Sequence, residues 1–123
     1  MADYDPRRIE AYYGKTFVTN SGSAYTITED GRIMGKPCVE GAKVEILAGI
    51  PVGDDLYREI MVGMFPEDTK CKDKLREIIE KNGRPPVKGL RLLICISDED
   101  TKRTKMNGFL TPVITKVSDA KKK

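Results

Sequence analysis

Positive charge is the one feature of this sequence that could carry a function, and the positively charged side chains are concentrated in its second half. Residues 62–123 carry fifteen Lys or Arg against nine Asp or Glu, whereas residues 1–61 carry seven against ten. Flexible cations neutralise phosphates and release counterions, which gives sequence-independent, salt-sensitive binding to nucleic acid. The alternative, which we favour, is a solvated surface that serves solubility. The candidate nucleic-acid-binding residues are Arg84, Lys88, Arg91, Lys102, Arg103, Lys105, Lys121, Lys122 and Lys123.

The sequence contains no histidine, which removes the usual general base, the commonest metal ligand and most nucleophile triads. Its cysteines, Cys38, Cys71 and Cys95, are odd in number and lack the close pairing of metal sites or small disulfide-rich proteins. Cys71 is the best candidate nucleophile because lysines flank it near a predicted helix start. Its place on an apolar helix stripe favours an unreactive core thiol instead. We therefore predict no catalytic residue and no enzyme activity.

Acidic residues cluster at 54–55, 67–68 and 98–100. The last cluster offers oxygen ligands, but it lacks the glycine and the distal glutamate of the twelve-residue calcium loop. We interpret all three clusters as turns and helix caps. The glycines form neither a P-loop nor a dinucleotide-binding fingerprint. The sequence thus predicts no metal site and no cofactor.

An apolar run at residues 90–97 is predicted to be the strand around which the domain is built. Gly89 precedes it and a polar segment follows it, as expected for a short strand that is buried on both faces. Upstream, β-branched and aromatic residues predict a hairpin of residues 15–20 and 24–28. Strands at 32–34 and 43–50 follow, and apolar alternation in the second predicts that one of its faces lies in the core. Phe17, Tyr25 and Ile27 are predicted to share one side of the hairpin.

One amphipathic helix is predicted at about residues 67–82, and Gly83 should end it in the left-handed conformation. The preceding segment, residues 54–64, fits either a helix capped by Asp54 or a strand that closes a hairpin, and we favour the hairpin. The apolar stripe of the predicted helix consists of Cys71, Leu75, Ile78 and Ile79.

The C-terminal part combines a polar connector with a last strand. Residues 98–108 are acidic first and basic afterwards, and their length predicts a functional or disordered loop. Residues 109–117 are predicted to form the last strand. Because Pro112 cannot donate to a ladder, this strand should lie at a sheet edge or carry a bulge at Pro112.

Together these elements predict one α+β domain over residues 1–117, followed by a basic flexible tail over residues 118–123. The domain is expected to be a mainly antiparallel sheet or a small open barrel with the helix packed on it. The N-terminus lacks the apolar core of a signal peptide, and no run is long enough to span a membrane. We expect an intracellular protein with no membrane partner.

The overall pattern of the chain consists of the aromatic hairpin at 16–28, the Asp30-Gly31 turn, glycine-rich strands and a closing strand with Thr111, Pro112 and Val113. This pattern resembles small uncharacterised proteins of thermophilic archaea and their viruses. The expected intracellular location is the cytoplasm, or the host cytoplasm if the protein is viral. The resemblance carries no functional residue.

Three function hypotheses follow from the sequence. The first is a non-catalytic binding or assembly protein whose partner is another protein or a second copy, with self-association through an exposed edge strand. The second is nucleic-acid binding through the basic loop and tail. A small enzyme ranks last, because no spacing places an acid, a base and a nucleophile together. The candidate self-association residues are Phe109, Leu110, Val113 and Ile114.

Overall fold

The computed structural model describes residues 8–35, 39–64 and 69–119. A 3₁₀ helix, Ile9–Tyr12, precedes the first strand. The strands are β1 Lys15–Thr19, β2 Ala24–Ile27, β3 Ile33–Met34, β4 Val44–Ile50, β5 Arg91–Ile96 and β6 Gly108–Asp119. The helices are α1 Asp54–Met64, α2 Thr69–Asn82 and α3 Asp98–Thr104.

The six strands form one antiparallel sheet in the order β3-β2-β1-β6-β5-β4. The two ends of this order approach each other, because Arg32 beside β3 forms an antiparallel bridge with Lys43 beside β4. The Val44 N–H donates to the Gly31 carbonyl at 2.9 Å in the same contact. The sheet is therefore curled into a small open barrel, and the predicted α+β class is confirmed.

Two apolar cores lie on opposite faces of the curled sheet. The inner core contains Phe17, Tyr25, Ile27, Leu47 and Ile94, together with further strand residues. The outer core joins β4 and β5 to α1 and α2 through Ile46, Ala48, Ile50, Ile60, Leu75, Ile78, Ile79, Leu93 and Cys95. Residues 92–96 are consequently buried on both faces, as the sequence predicts. The same holds for β4, for which the alternation predicted only one core face, because two helices cover its outer side.

The N-terminal hairpin is confirmed. Phe17 pairs with Tyr25, and both side chains are buried in the inner core with Ile27. Gly31 has a φ of 81°, which the tight turn before β3 requires and which other residues rarely adopt.

The preferred hairpin at residues 54–64 is wrong, because the segment forms the helix α1. A strand following β4 would have to pair with the outer edge of β4, and that edge is already occupied. Lys43 is bridged to Arg32 near one end of it, and Gly49 is bridged to Arg84 near the other. The chain instead packs its apolar side against α2 and the outer face of the sheet.

The amphipathic helix is confirmed as α2, which ends at Asn82, and Leu75, Ile78 and Ile79 are buried. The side chain of Cys71 lies outside the described residues. The predicted left-handed Gly83 is wrong, since its φ is not in that region. A side chain is excluded at Gly83 for another reason: its Cβ would collide with the Ile79 carbonyl oxygen.

Residues 98–108 do not form the predicted loop, because most of them belong to α3. Because α3 has no apolar stripe, the hydrophobic periodicity of the sequence does not indicate a helix there. The helix is held by its ends: the Asp100 N–H donates to the Ser97 hydroxyl at 3.3 Å, and Lys105 ends it with a φ of 62°. Acidic residues in its first turn and basic residues in its last complement the helix dipole.

The predicted edge position of the last strand is wrong, whereas the alternative of a bulge is confirmed. β6 lies between β1 and β5. Two of its residues, Thr111 and Pro112, face the single residue Leu92 of β5. The Leu92 N–H donates to the Thr111 hydroxyl at 3.1 Å, so a side chain supplies the acceptor at the irregular ladder position. Thus proline is tolerated inside the sheet because Thr111 completes the pairing around it.

β6 extends two residues past the predicted domain end at residue 117, since Ser118 and Asp119 still pair with β1. The remaining tail lies outside the described residues. Within the described chain, no helix is both long and apolar enough to cross a membrane.

Candidate binding site beside β6

β6 changes pairing partners halfway along its length. From Gly108 to Val113 it pairs with β5, and from Ile114 to Asp119 it pairs with β1. The last bonds on the β5 side join Ile114 to the residues before β5: the Gly89 N–H donates to the Ile114 carbonyl at 2.9 Å, and the Ile114 N–H donates to the Leu90 carbonyl at 2.8 Å. Within the described chain, no backbone hydrogen bond continues this side of the strand over residues 115–118.

A cleft lies along this half-paired stretch and has a volume of about 510 Å³. We call it the β6 cleft and define it by its lining residues: Tyr12, Pro86, Val87, Lys88, Thr115, Lys116 and Val117. It separates the second half of β6 from the proline-containing connector that leads into β5. The cleft therefore occupies a gap in the barrel wall where two segments run side by side without pairing.

The walls of the β6 cleft are mainly apolar. Val87 and Val117 are 51% and 37% exposed, which places both among the most exposed large apolar residues of the described chain. Val117 pairs with Phe17, so its side chain is on the inner face of the sheet, next to the core. Tyr12 packs against the same core, with its ring 6.3 Å from that of Phe17. Burial raises the pKa of the Tyr12 hydroxyl.

Two lysines, Lys88 and Lys116, line the cleft from opposite walls and are exposed. Neither has an acidic partner among the described residues. Lys15, by contrast, pairs with Asp119 at 2.6 Å near the end of the same strand. The β6 cleft thus combines mainly apolar walls with two lysines that no acidic side chain of the described residues compensates.

The six predicted nucleic-acid-binding cations that the structure describes do not lie together. Arg84, Lys88 and Arg91 lie before or at the start of β5, whereas Lys102, Arg103 and Lys105 lie after its end. The six residues of β5 separate the two groups by roughly 17 Å along the strand. Lys121, Lys122 and Lys123 lie outside the described residues. Of the described members, only Lys88 lines the cleft.

Two of these cations have structural contacts. The Arg91 guanidinium lies 5.1 Å from the centre of the Tyr57 ring, and its Nη1 donates to the Thr111 carbonyl at 3.3 Å. Arg103 donates to the Asp100 carboxylate at 3.0 Å. The Arg91 contacts join β5 to α1 and β6, and the Arg103 contact lies within α3, so the two arginines are less available for a partner.

The four predicted self-association residues do not form an edge. Phe109 and Ile114 are buried in the inner core, and Leu110 packs partly against the outer core. Val113 pairs with Arg91 inside the sheet. This prediction is corrected: the half of β6 without a second partner strand begins after Ile114.

A second cavity of about 410 Å³ lies between α1 and α2. Its lining includes Asp55, Glu59 and Glu77 together with Lys74 and Lys81. Acidic and basic side chains are mixed in it, so it presents no single charge to a ligand. We do not regard it as the main site.

The described residues contain no group of three or more His, Cys, Asp or Glu side chains able to hold a metal ion. The most strongly perturbed carboxyl is Asp100, whose pKa is lowered to about 2. The main causes are hydrogen bonds from the Lys43 N–H and from Arg103. These donors are structural, so Asp100 serves to anchor α3.

Sequence reasoning missed the β6 cleft because its walls come from three distant segments. Pro85 and Pro86 predict an extended connector, and the structure confirms that this segment contains no helix. The change of partners within a single strand leaves no local signal. The only sequence signal of the site is the alternation of apolar and polar residues around Val117, which indicates an apolar side chain near the end of the last strand. Comparisons with protein-family models, curated proteins and solved structures find no match to this chain.

Proposed function

We propose that the chain is a non-catalytic protein-binding module that takes up an extended segment of a partner polypeptide in the β6 cleft. The observation that carries this proposal is the half-paired stretch at residues 115–118, which lies against an apolar cleft. A strand with one free side is a template for another chain, and the added main-chain hydrogen bonds give affinity while neighbouring pockets select side chains.

The energetics favour a modest, reversible contact. Val87 and Val117 are 51% and 37% exposed, and burying the remaining surface of one valine contributes about 1 kcal/mol. A few added backbone hydrogen bonds contribute about 1 kcal/mol each. Since ordering the partner segment offsets part of this gain, we expect transient binding.

The distribution of charge supports a protein partner over nucleic acid. A phosphate backbone is bound best by cations that share one surface, and the described candidates lie at opposite ends of β5. The sequence-based hypotheses of self-association, of an intracellular location and of a thermophilic archaeal or viral source stay predictions.

Selection from a displayed library of unstructured peptides against the full chain tests the proposal. The selected peptides should bind the natural chain and lose most of their affinity for the Val87→Asp variant, because a carboxylate then lies in the apolar wall. The matched control is Val52→Asp, which changes a valine that is 60% exposed and does not line the cleft. Equal binding to both variants, or a library that yields no cleft-dependent peptide, would refute the proposal.

A further inference from the structure

We propose that the segment taken up by the β6 cleft carries an aromatic residue between two acidic residues. This inference rests on the proposed function and names the chemistry of the partner. It follows from the alternation of side chains along a strand and from the two lysines of the cleft.

The chemistry of the central residue of the partner segment follows from the groups on the inner side of the β6 cleft. Val117 is on the inner face of the sheet because it pairs with Phe17, and Tyr12 packs against the same core. A residue of an added strand that lies beside Val117 and shares its face meets these apolar groups. The cleft volume of about 510 Å³ accommodates an aromatic ring, and the Tyr12 ring offers a partner for a tilted or offset contact.

The chemistry of the two residues that flank the aromatic residue in the partner segment follows from the outer face of the sheet. Successive side chains of a strand point to opposite faces, so Lys116 lies on the face opposite to Val117. In an added strand, the residues on either side of the central aromatic share the face of Lys116. Lys116 and Lys88 have no acidic partner among the described residues, and flanking carboxylates would compensate them.

The chain itself contains one sequence of this type, Asp3-Tyr4-Asp5. A peptide of residues 2–6, Ala-Asp-Tyr-Asp-Pro, is therefore the natural probe, acetylated and amidated to remove its terminal charges. Two matched peptides isolate the chemistry: one with Asn in place of both Asp residues, and one with Ala in place of Tyr. Because the natural chain carries the same sequence, the titration is also run on the Tyr4→Ala variant.

The measurement is a titration of the isotope-labelled full chain followed by amide chemical shifts. We expect shifts at residues 86–88 and 115–117, a dissociation constant about fivefold weaker for the Asn peptide at low salt, and loss of that difference at high salt. The Ala peptide should produce no saturable shift at the cleft. Lys116→Gln should remove most of the difference between the Asp and Asn peptides, whereas Lys102→Gln, at the other end of β5, should leave it unchanged.

Three outcomes separate this inference from the proposed function. If the Asp and Asn peptides bind equally at low salt, the inference is overturned while the cleft remains a peptide site. If no probe shifts a cleft amide although library-selected peptides do, the inference is again overturned and the function stands. A concentration-dependent dimer of the natural chain that is lost in Tyr4→Ala supports the inference and identifies a second copy as the source of the segment.

Discussion

Replacing Asp100 by Asn should destabilise the fold and change its dependence on pH. The Asp100 carboxylate accepts three hydrogen bonds: from the Lys43 N–H at 2.9 Å, from the Ser97 hydroxyl at 2.9 Å and from Arg103 at 3.0 Å. It thereby ties α3 to the segment that begins β4. An amide of the same shape cannot accept all three bonds with the strength of a charged acceptor.

The magnitude follows from the pKa of Asp100, which is lowered from 3.8 to about 2. At about 1.36 kcal/mol per pKa unit this corresponds to about 2 kcal/mol. The carboxylate is 16% exposed and its Arg103 partner is 59% exposed, so solvent screening reduces the expected contribution to about 1–2 kcal/mol. Because the folded-state pKa is the lower one, this stabilisation is fully present above about pH 4. It is lost as the pH falls towards 2.

The assay is urea denaturation of the natural chain and Asp100→Asn at several pH values. We expect the natural chain to be more stable by about 1–2 kcal/mol near neutral pH, with the difference shrinking as the pH falls from 4 to 2. The control is Glu99→Gln, an exposed neighbour in the same helical turn, which should change the free energy of unfolding by less than about 0.5 kcal/mol. An equal loss in both variants, or a difference that persists unchanged at pH 2, would contradict the assigned role of Asp100.

Two further predictions concern local structure. Thr111→Val should lower the free energy of unfolding by about 1–3 kcal/mol in urea denaturation, because the Leu92 N–H loses its acceptor and the Pro112 carbonyl loses a donor. The control is Thr115→Val, which loses only a solvent-exposed hydrogen bond from its hydroxyl to the Val18 carbonyl at 3.2 Å, and similar losses in both variants would argue against a special role for the Thr111 hydroxyl. Lys105→Gly should raise the midpoint of thermal unfolding by relieving the φ of 62°, a gain of about 1 kcal/mol. No gain in that variant would mean that Lys105 is not strained.

The division of β6 between two neighbours explains why the barrel wall has a gap. The bulge at Thr111 and Pro112 disrupts the pairing with β5, and a second register shift occurs opposite Val18 and Thr19 of β1. Bulges bend a strand and increase its twist. The second half of β6 thus follows β1, while the connector before β5 runs separately, and the β6 cleft lies between them.

Local patterns in the sequence were sufficient to predict several elements. Three elements have a hydrophobic pattern or turn residues that fit only one type of secondary structure: the hairpin of β1 and β2, the doubly buried β5 and the amphipathic α2. The absence of histidine and of cofactor motifs is likewise a property of the sequence alone. The helix α3 could have been predicted from its cap, because Ser97 precedes three acidic residues.

Which strand edges, sheet faces and clefts remain open to a segment depends on the tertiary structure. The sequence of residues 54–64 is compatible with either a strand or a helix. A strand is excluded because the outer edge of β4 is already bridged at Lys43 and Gly49. The segment therefore forms a helix, which buries the apolar outer face of the sheet. Pro112 predicts an edge strand from local chemistry, yet Thr111 supplies the acceptor that allows an interior position. The β6 cleft depends on three segments distant in sequence. Pairing and packing between such segments are long-range interactions, so no local pattern could predict the site.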